Sequence, residues 1–179
     1  MITPRRDRFK SVNAECFYMK LNKEQLREAV EEGLVKGYID LERQLTPNGF
    51  DLTVSSIESF EEPGRLDFTN EDRKIPETRK LEPENGVWQL EPGSYKVTTN
   101  EKVNLPEDII AFAYPRSSLL RMGCTIDNGV WDAGYSGGSE FLLTVNNPEG
   151  VEIDEDARIN HMVFEEISET EEYSGRYGS

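Results

Sequence analysis

The chain has 179 residues, of which 36% are hydrophobic and 31% charged, and this composition fits one globular domain with a modest core. Acidic residues outnumber basic residues by 35 to 20, and a surface with a net charge of −15 repels nucleic-acid phosphates and anionic lipids. The sequence has no apolar run of membrane-spanning length, and its first residues lack the apolar region of a secretory signal, so we expect no leader. Its cysteines are Cys16 and Cys124. We therefore expect a cytoplasmic protein with two reduced thiols that binds neither nucleic acid nor membrane.

The first predicted element is a helix at about 22–33. Asn22 is followed three residues later by Gln25, the spacing of a capping box, and Gly33 supplies a C-terminal stop. We treat residues 1–47 as an N-terminal extension that carries this helix.

From residue 48 the pattern changes to short strands separated by turns. The predicted strands share alternating or continuous apolar residues, and they lie at 50–54, 95–105, 108–114, 141–145 and 159–164. The polar, proline-containing stretch 61–85 predicts a long excursion between strands. The sequence predicts a mainly β single domain over 48–164, a distorted jelly roll or β-clip-like barrel, followed by an acidic C-terminal arm at 165–179.

A candidate phosphate site follows the apolar strand 108–114. The segment Pro115-Arg116-Ser117-Ser118-Leu119 opens a short helical stretch that Gly123 can end. Backbone N–H groups at a helix start, two hydroxyls and a guanidinium at one place suit phosphate. Taken alone, the same segment could be a serine-capped turn with a surface arginine.

A second candidate segment follows closely. Asp127-Asn128-Gly129 predicts a tight hairpin turn between 124–126 and 130–131, and such a turn can offer backbone donors and acceptors to a flat heterocycle. Asp132 and Tyr135 come next, in an apolar and small-residue context. Burial of a carboxylate there costs free energy unless it is paired or functional, although a satisfied turn aspartate fits as well.

Five segments together resemble the motifs of the dUTP diphosphatase and dCTP deaminase superfamily. The two specific matches are Pro115–Leu119 for the second motif and Gly129–Gly137 for the third. The weaker matches to the first, fourth and fifth motifs are Asn48-Gly49-Phe50-Asp51-Leu52, Arg158–Phe164 and Gly175–Ser179.

The resemblance implies a jelly-roll-like subunit that forms homotrimers, with active sites between chains and Mg²⁺ held mainly by the triphosphate of the substrate. It implies that Asp132 orients the water that attacks the α-phosphate of dUTP, giving dUMP and diphosphate. The residues implied to bind phosphate are Arg116, Ser117, Ser118 and Arg176. Those implied to contact the nucleoside are Ile126, Asp127, Asn128 and Gly129 through their backbone, Tyr135 against the deoxyribose and Tyr177 against the base. Supporting roles fall to Asp51, Arg121 and His161.

The choice between the two activities depends on one carboxylate. Deaminases of the family carry a glutamate ten residues after the aspartate of the third motif, as the proton shuttle. That position is Leu142 here, or Leu143 if the strand is one residue longer, so we expect dUTP hydrolysis. A dCTP deaminase, alone or as a bifunctional enzyme, is the alternative, because Glu140 shares strand parity with Leu142 and Arg121 matches the deaminase pattern Arg-Ser-Ser-Leu-x-Arg.

Two further alternatives are a non-catalytic nucleotide-binding member of the fold and a diphosphatase with broader nucleotide choice. His161 stands where the family commonly has glutamine, and it is either close to the metal-bound waters or an ordinary strand residue. The acidic surplus, with 12 Arg against 8 Lys, is compatible with adaptation to high intracellular salt.

Overall fold

The computed structural model describes residues 19–168 and Gly175, and β-strands dominate this part of the chain. The helices are α1 (Lys23–Glu31), α2 (Leu41–Gln44) and α3 (Ser117–Arg121). The strands are β1 (Val35–Lys36), β2 (Phe50–Phe60), β3 (Thr78–Leu81), β4 (Val87–Leu90), β5 (Gly93–Asn104), β6 (Ile109–Pro115), β7 (Cys124–Asp127), β8 (Ser136–Val145), β9 (Val151–Asp154) and β10 (Arg158–Glu166). The described helices are all too short or too polar to cross a bilayer.

The predicted N-terminal helix is confirmed. The side chain of Asn22 accepts hydrogen bonds from the backbone of Glu24 and Gln25, and Gln25 Oε1 accepts one from the Asn22 backbone at 3.0 Å. Leu26 and Val30 are buried in the same apolar cluster as residues of β2 and β10. The helix therefore packs directly on the β-sheet.

Eight strands form one antiparallel sheet that nearly closes on itself. Its main order is β6-β10-β2-β5-β8-β7, with β1 added to β5 and β3 added to β2, while β4 and β9 form a separate pair. Past the end of β7, Trp131 exchanges two backbone hydrogen bonds with Ala111 of the opposite edge strand, β6. This contact joins the two edges of the sheet, so the predicted mainly β, barrel-like class is confirmed.

Strand β2 lies at the centre of the molecule, between β10 and β5. Its first five residues are all buried because both of its faces are covered. Phe50 and Leu52 belong to the apolar cluster shared with α1, whereas Val54 and Ile57 belong to a second cluster under β7, β8 and the β4–β9 pair. Asp51 thus projects from a strand that is fixed on both sides.

The predicted hairpin at 127–129 is wrong. Strand β7 pairs with β8, with Asp127 opposite Leu142, and not with residues 130–131. Asn128 and Gly129 are absent from the positive-φ positions of the described chain, which a tight type I′ turn would require. Residues 128–135 instead form an irregular connection that crosses to β6.

Candidate active site

A groove of about 320 Å³ opens where β2, β6 and β10 meet. It is lined by Thr46, Asp51, Tyr114, Pro115, Arg116, Ser117 and His161. Four of these residues were predicted from sequence as site residues: Asp51, Arg116, Ser117 and His161. The fold therefore brings parts of the first, second and fourth motifs together in space.

Asp51 is the anion at the base of this groove. Its side chain is only 3% exposed, and its Oδ2 lies 2.8 Å from Arg116 Nε. Its Oδ1 lies 2.9 Å from His161 Nδ1, and Arg158 Nη1 is 3.5 Å from Oδ2. A buried carboxylate needs such partners, since its desolvation would otherwise be costly. Asp51 thereby fixes the position of the arginine and the histidine that face the groove.

Gly49 is required by the close approach of β10. A Cβ built on Gly49 would lie 2.3 Å from the carbonyl oxygen of Met162 and 2.8 Å from His161 Nε2. A side chain at this position would displace both the strand and the imidazole. The glycine of the first motif therefore allows His161 to reach Asp51.

The short helix α3 places the second-motif side chains beside the groove. Ser117 and Ser118 are exposed, and Leu119 is buried and anchors the helix. Arg116 precedes the helix. Its backbone N–H donates to the Ile159 carbonyl, and its Nη1 donates to the Arg158 carbonyl at 3.0 Å. Two hydroxyls and a guanidinium held at two points suit an oxyanion of phosphate. Arg121 lies exposed in the last turn.

The surroundings of Asp132 differ from the sequence-based expectation. Asp132 is exposed, whereas its neighbours Trp131 and Ala133 are buried. The apolar context seen in the sequence reflects these two inward-facing side chains, so the carboxylate is not desolvated. Tyr135 is buried, and its hydroxyl donates to the Gly138 carbonyl at 2.5 Å.

The predicted nucleoside-binding residues differ in their exposure. Asp127 and Gly129 are exposed, but Ile126 is buried in the second apolar cluster, so only its backbone is available to a ligand. The side chain of Asn128 is bound within the protein, donating to the Ala113 carbonyl and accepting from Asn160. Arg176 and Tyr177 lie outside the described residues.

Sequence reasoning missed three contributors to this region. Thr46 and Tyr114 line the groove, and Asn160 contacts the β7–β8 connection. Tyr114 directly precedes the second motif and Asn160 lies within the fourth, and these positions were the available signal. Thr46 lies at the end of the N-terminal extension, where the sequence carries no motif.

Strand β8 carries the positions where a deaminase would need its glutamate. Leu143 is fully buried in the core, and Leu142 lies on the opposite, partly exposed face. Glu140 shares that outer face, opposite Thr98 of β5, and its Oε1 is 3.4 Å from Lys96 Nζ. Lys96 also pairs with Glu58 at 2.9 Å. Burial opposes the charge on Lys96, but its hydrogen bond with Glu58 and its contacts with Glu140 outweigh this effect and raise its pKa.

The described residues contain no group of three or more His, Cys, Asp or Glu side chains arranged to hold a metal ion. Asp51, the buried carboxylate of the groove, is occupied by Arg116 and His161. Mg²⁺ commonly binds through one or two carboxylates together with substrate phosphates and water. The donor set of the described residues fits an ion that arrives on a triphosphate.

Comparisons with known proteins agree with the geometry. A family model described as dCTP deaminase-like matches residues 20–167. A protein of Methanococcoides burtonii named "Probable deoxyuridine 5'-triphosphate nucleotidohydrolase" is 44% identical over 162 residues, covering 88% of this chain and 95% of that protein. A protein of Methanocaldococcus jannaschii named deoxyuridine 5'-triphosphate nucleotidohydrolase is 41% identical over 140 residues, covering 76% of this chain and 88% of that protein.

Among solved structures, the 2'-deoxycytidine 5'-triphosphate deaminase from Agrobacterium tumefaciens superposes with a TM-score of 0.64 at 22% identity. The match covers 83% of this chain and 49% of that protein, so the chain spans about half of its length. At this identity the likeness concerns the fold. The match of the family model to residues 20–167 confirms the resemblance inferred from the sequence motifs: the protein belongs to the dCTP deaminase-like family.

Proposed function

We propose that the protein hydrolyses dUTP, as its Mg²⁺ complex, to dUMP and diphosphate. One observation favours hydrolysis over deamination. The two positions on β8 where a deaminase would have its proton shuttle are occupied by Leu142 and Leu143. The names of the relatives from M. burtonii and M. jannaschii, which match over most of their length, support the same activity. Such an enzyme limits uracil in DNA and supplies dUMP for thymidylate synthesis.

Phosphoryl transfer depends mainly on positioning the reactants and neutralising their charge, and less on covalent catalysis by side chains. Ser117, Ser118 and Arg116 hold the phosphate oxygens, and the ion pair with Asp51 keeps the Arg116 guanidinium in place before the substrate binds. This local positive charge is needed because the chain as a whole carries −15 and repels a triphosphate. Bound Mg²⁺ supplies further neutralisation of the triphosphate charge.

The attacking water is oriented by Asp132, whose exposed carboxylate on the β7–β8 connection can accept its proton. Tyr135, fixed by its hydrogen bond to Gly138, limits the space beside the deoxyribose. The backbone of 126–129 contacts the uracil. Arg176 and Tyr177 complete the contacts to the terminal phosphates and to the base.

The family resemblance supports a cytoplasmic homotrimer with the sites between chains. Ser117, Ser118 and Asp132 are exposed in the single chain, as expected for groups that a neighbouring subunit helps to cover. Light scattering should then give three times the 20.5 kDa of one chain.

Deamination of dCTP is the second candidate activity. Arg121, exposed in the last turn of α3, completes the pattern Arg-Ser-Ser-Leu-x-Arg that is typical of deaminases. In this reading Glu140 would have to leave its ion pair with Lys96 to serve as the proton shuttle.

Asp132→Asn tests the assigned mechanism. We expect turnover of dUTP to fall by a factor of about a thousand or more, because an amide cannot accept the proton from water. Binding of a non-hydrolysable imido analogue of dUTP, measured by calorimetry, should change by no more than about threefold. Asp154→Asn, an exposed aspartate on β9, is the matched control and should retain full turnover. Unchanged turnover in Asp132→Asn would remove Asp132 from the mechanism.

A further inference from the structure

Two asparagines connect strand β10 to the β7–β8 connection. Asn160 is fully buried on β10, and its Nδ2 donates to Asn128 Oδ1 at 3.0 Å. Asn128 Nδ2 in turn donates to the Ala113 carbonyl of β6, also at 3.0 Å. The side chain of Asn128 is therefore fixed between two strands.

This contact holds one end of a short exposed segment. The other end is fixed by the two backbone hydrogen bonds between Trp131 and Ala111, at 3.0 and 3.1 Å. Between these ends, Gly129 and Val130 are exposed, and a Cβ on Gly129 would meet nothing within 4 Å. The conformation of segment 128–131 is thus determined mainly by its two attachments. Asp132 follows directly.

The stability of the fold explains the asparagine at position 160 only in part. Its Oδ1 is buried and finds no donor among the residues that the structure describes. A buried acceptor without a donor destabilises the folded state, so an alanine at this position would avoid a penalty. Within the part of the chain that the structure describes, the hydrogen bond to Asn128 is the one that the Asn160 side chain makes.

We propose that Asn160 is a positioning residue for base selection, acting through Asn128. It holds Asn128, and with it the adjoining part of the 126–129 backbone that contacts uracil, so that its loss weakens uracil recognition without weakening the fold. The next residue of β10, His161, points into the groove and contacts Asp51 at 2.9 Å. One strand thus places both the base-contacting segment and the phosphate side of the site. The proposal rests on the proposed dUTP hydrolysis.

Asn160→Ala should raise KM for dUTP about five- to tenfold, the effect of losing about one hydrogen bond, while kcat changes by less than about twofold. The preference for dUTP over dTTP and dCTP should fall by a similar factor. The melting temperature should stay within about 2 °C of wild type or rise. The matched control is Asn22→Ala, which removes the N-cap of α1, a helix that contributes no residue to the groove lining: it should lower the melting temperature and leave KM unchanged.

A double-mutant cycle tests whether Asn160 acts through Asn128. If it does, Asn128→Ala combined with Asn160→Ala should raise KM no more than the larger single effect. Multiplied effects would overturn the proposal, as would an Asn160→Ala enzyme whose KM and base preference match wild type.

Hydrogen exchange separates this proposal from the proposed function. If wild type fails to hydrolyse dUTP, the proposed function fails, and amide exchange of a peptide covering 127–132 still decides the positioning role. Faster exchange in Asn160→Ala than in wild type and Asn22→Ala supports it. Equal exchange in all three overturns it.

Discussion

Asp51 is the residue around which the cationic side of the groove is built. Its carboxylate, almost fully buried, holds Arg116 and His161 at 2.8 and 2.9 Å. A chain with a net charge of −15 cannot attract a triphosphate through its overall field, so it needs cations fixed at one place. The buried carboxylate fixes the Arg116 guanidinium by binding its Nε, which leaves guanidinium N–H groups that Asp51 does not use for a ligand.

Asp51→Asn should therefore weaken both the fold and the site. The amide accepts fewer charge-assisted hydrogen bonds, and Arg116 and His161 lose their anion, so we expect a loss of about 2 kcal/mol of unfolding free energy. KM for dUTP should rise at least about tenfold, since Arg116 is no longer fixed. Chemical denaturation and steady-state kinetics measure the two effects. A variant with wild-type KM would show that Asp51 does not position the phosphate-binding arginine.

The sequence motifs predicted four residues of the groove, namely Asp51, Arg116, Ser117 and His161, but not the contacts between them. The motifs named Asp51 and His161, which are 110 positions apart in the chain, yet their hydrogen bond depends on the register of β2 against β10. Asp132 was expected in an apolar environment because local sequence does not tell which neighbours face inward. Asn160 was not predicted, since its partner Asn128 is 32 positions away.

At the level of elements, the sequence predicted the helix and strands whose formation depends on residues close together in the chain. The capping box and the stop at Gly33 predicted α1 to within two residues, and apolar alternation predicted the long strands. The hairpin at 127–129 failed, because a turn-forming sequence does not specify the strand with which β7 pairs. Strand β3 was missed, since Thr78-Arg79-Lys80-Leu81 has little apolar alternation and lies in a proline-containing stretch.

The outer face of β2, β5 and β8 carries an ion cluster of Glu58, Lys96 and Glu140. Burial alone would raise the pKa of Glu58, but hydrogen bonds from Thr78 and Lys96 outweigh it and lower that pKa. A lowered carboxyl pKa contributes stability that is present above the usual value near 4.5 and is lost as the pH falls through the folded-state pKa.

Glu58→Gln should consequently cost about 1 kcal/mol at neutral pH, and this difference from wild type should shrink as the pH falls below about 4.5. Urea denaturation at several pH values measures both quantities. A constant difference down to pH 3 would contradict the assigned role of the Glu58 carboxylate.

Over the whole molecule, the dominant physical feature is the excess of acidic residues. Self-repulsion of a net charge of −15 destabilises the compact state, and salt screens it over distances of about 10 Å at 0.1 M and 3 Å at 1 M. We expect the melting temperature to rise by about 5 °C or more between low and molar KCl. Sucrose at equal osmolality is the control for general solvent exclusion. A flat response to KCl would exclude adaptation to high salt.

The most direct measurement is product analysis after incubation of the purified protein with Mg²⁺ and either dUTP or dCTP, at low and at molar KCl. We expect dUMP and diphosphate from dUTP, with dCTP unchanged, because Leu142 and Leu143 stand where deamination needs a carboxylate. Formation of dUTP or dUMP from dCTP would contradict this conclusion and direct attention to Glu140. If neither nucleotide reacts at either salt concentration, the proposed hydrolysis is wrong, and a non-catalytic nucleotide-binding protein becomes the leading hypothesis.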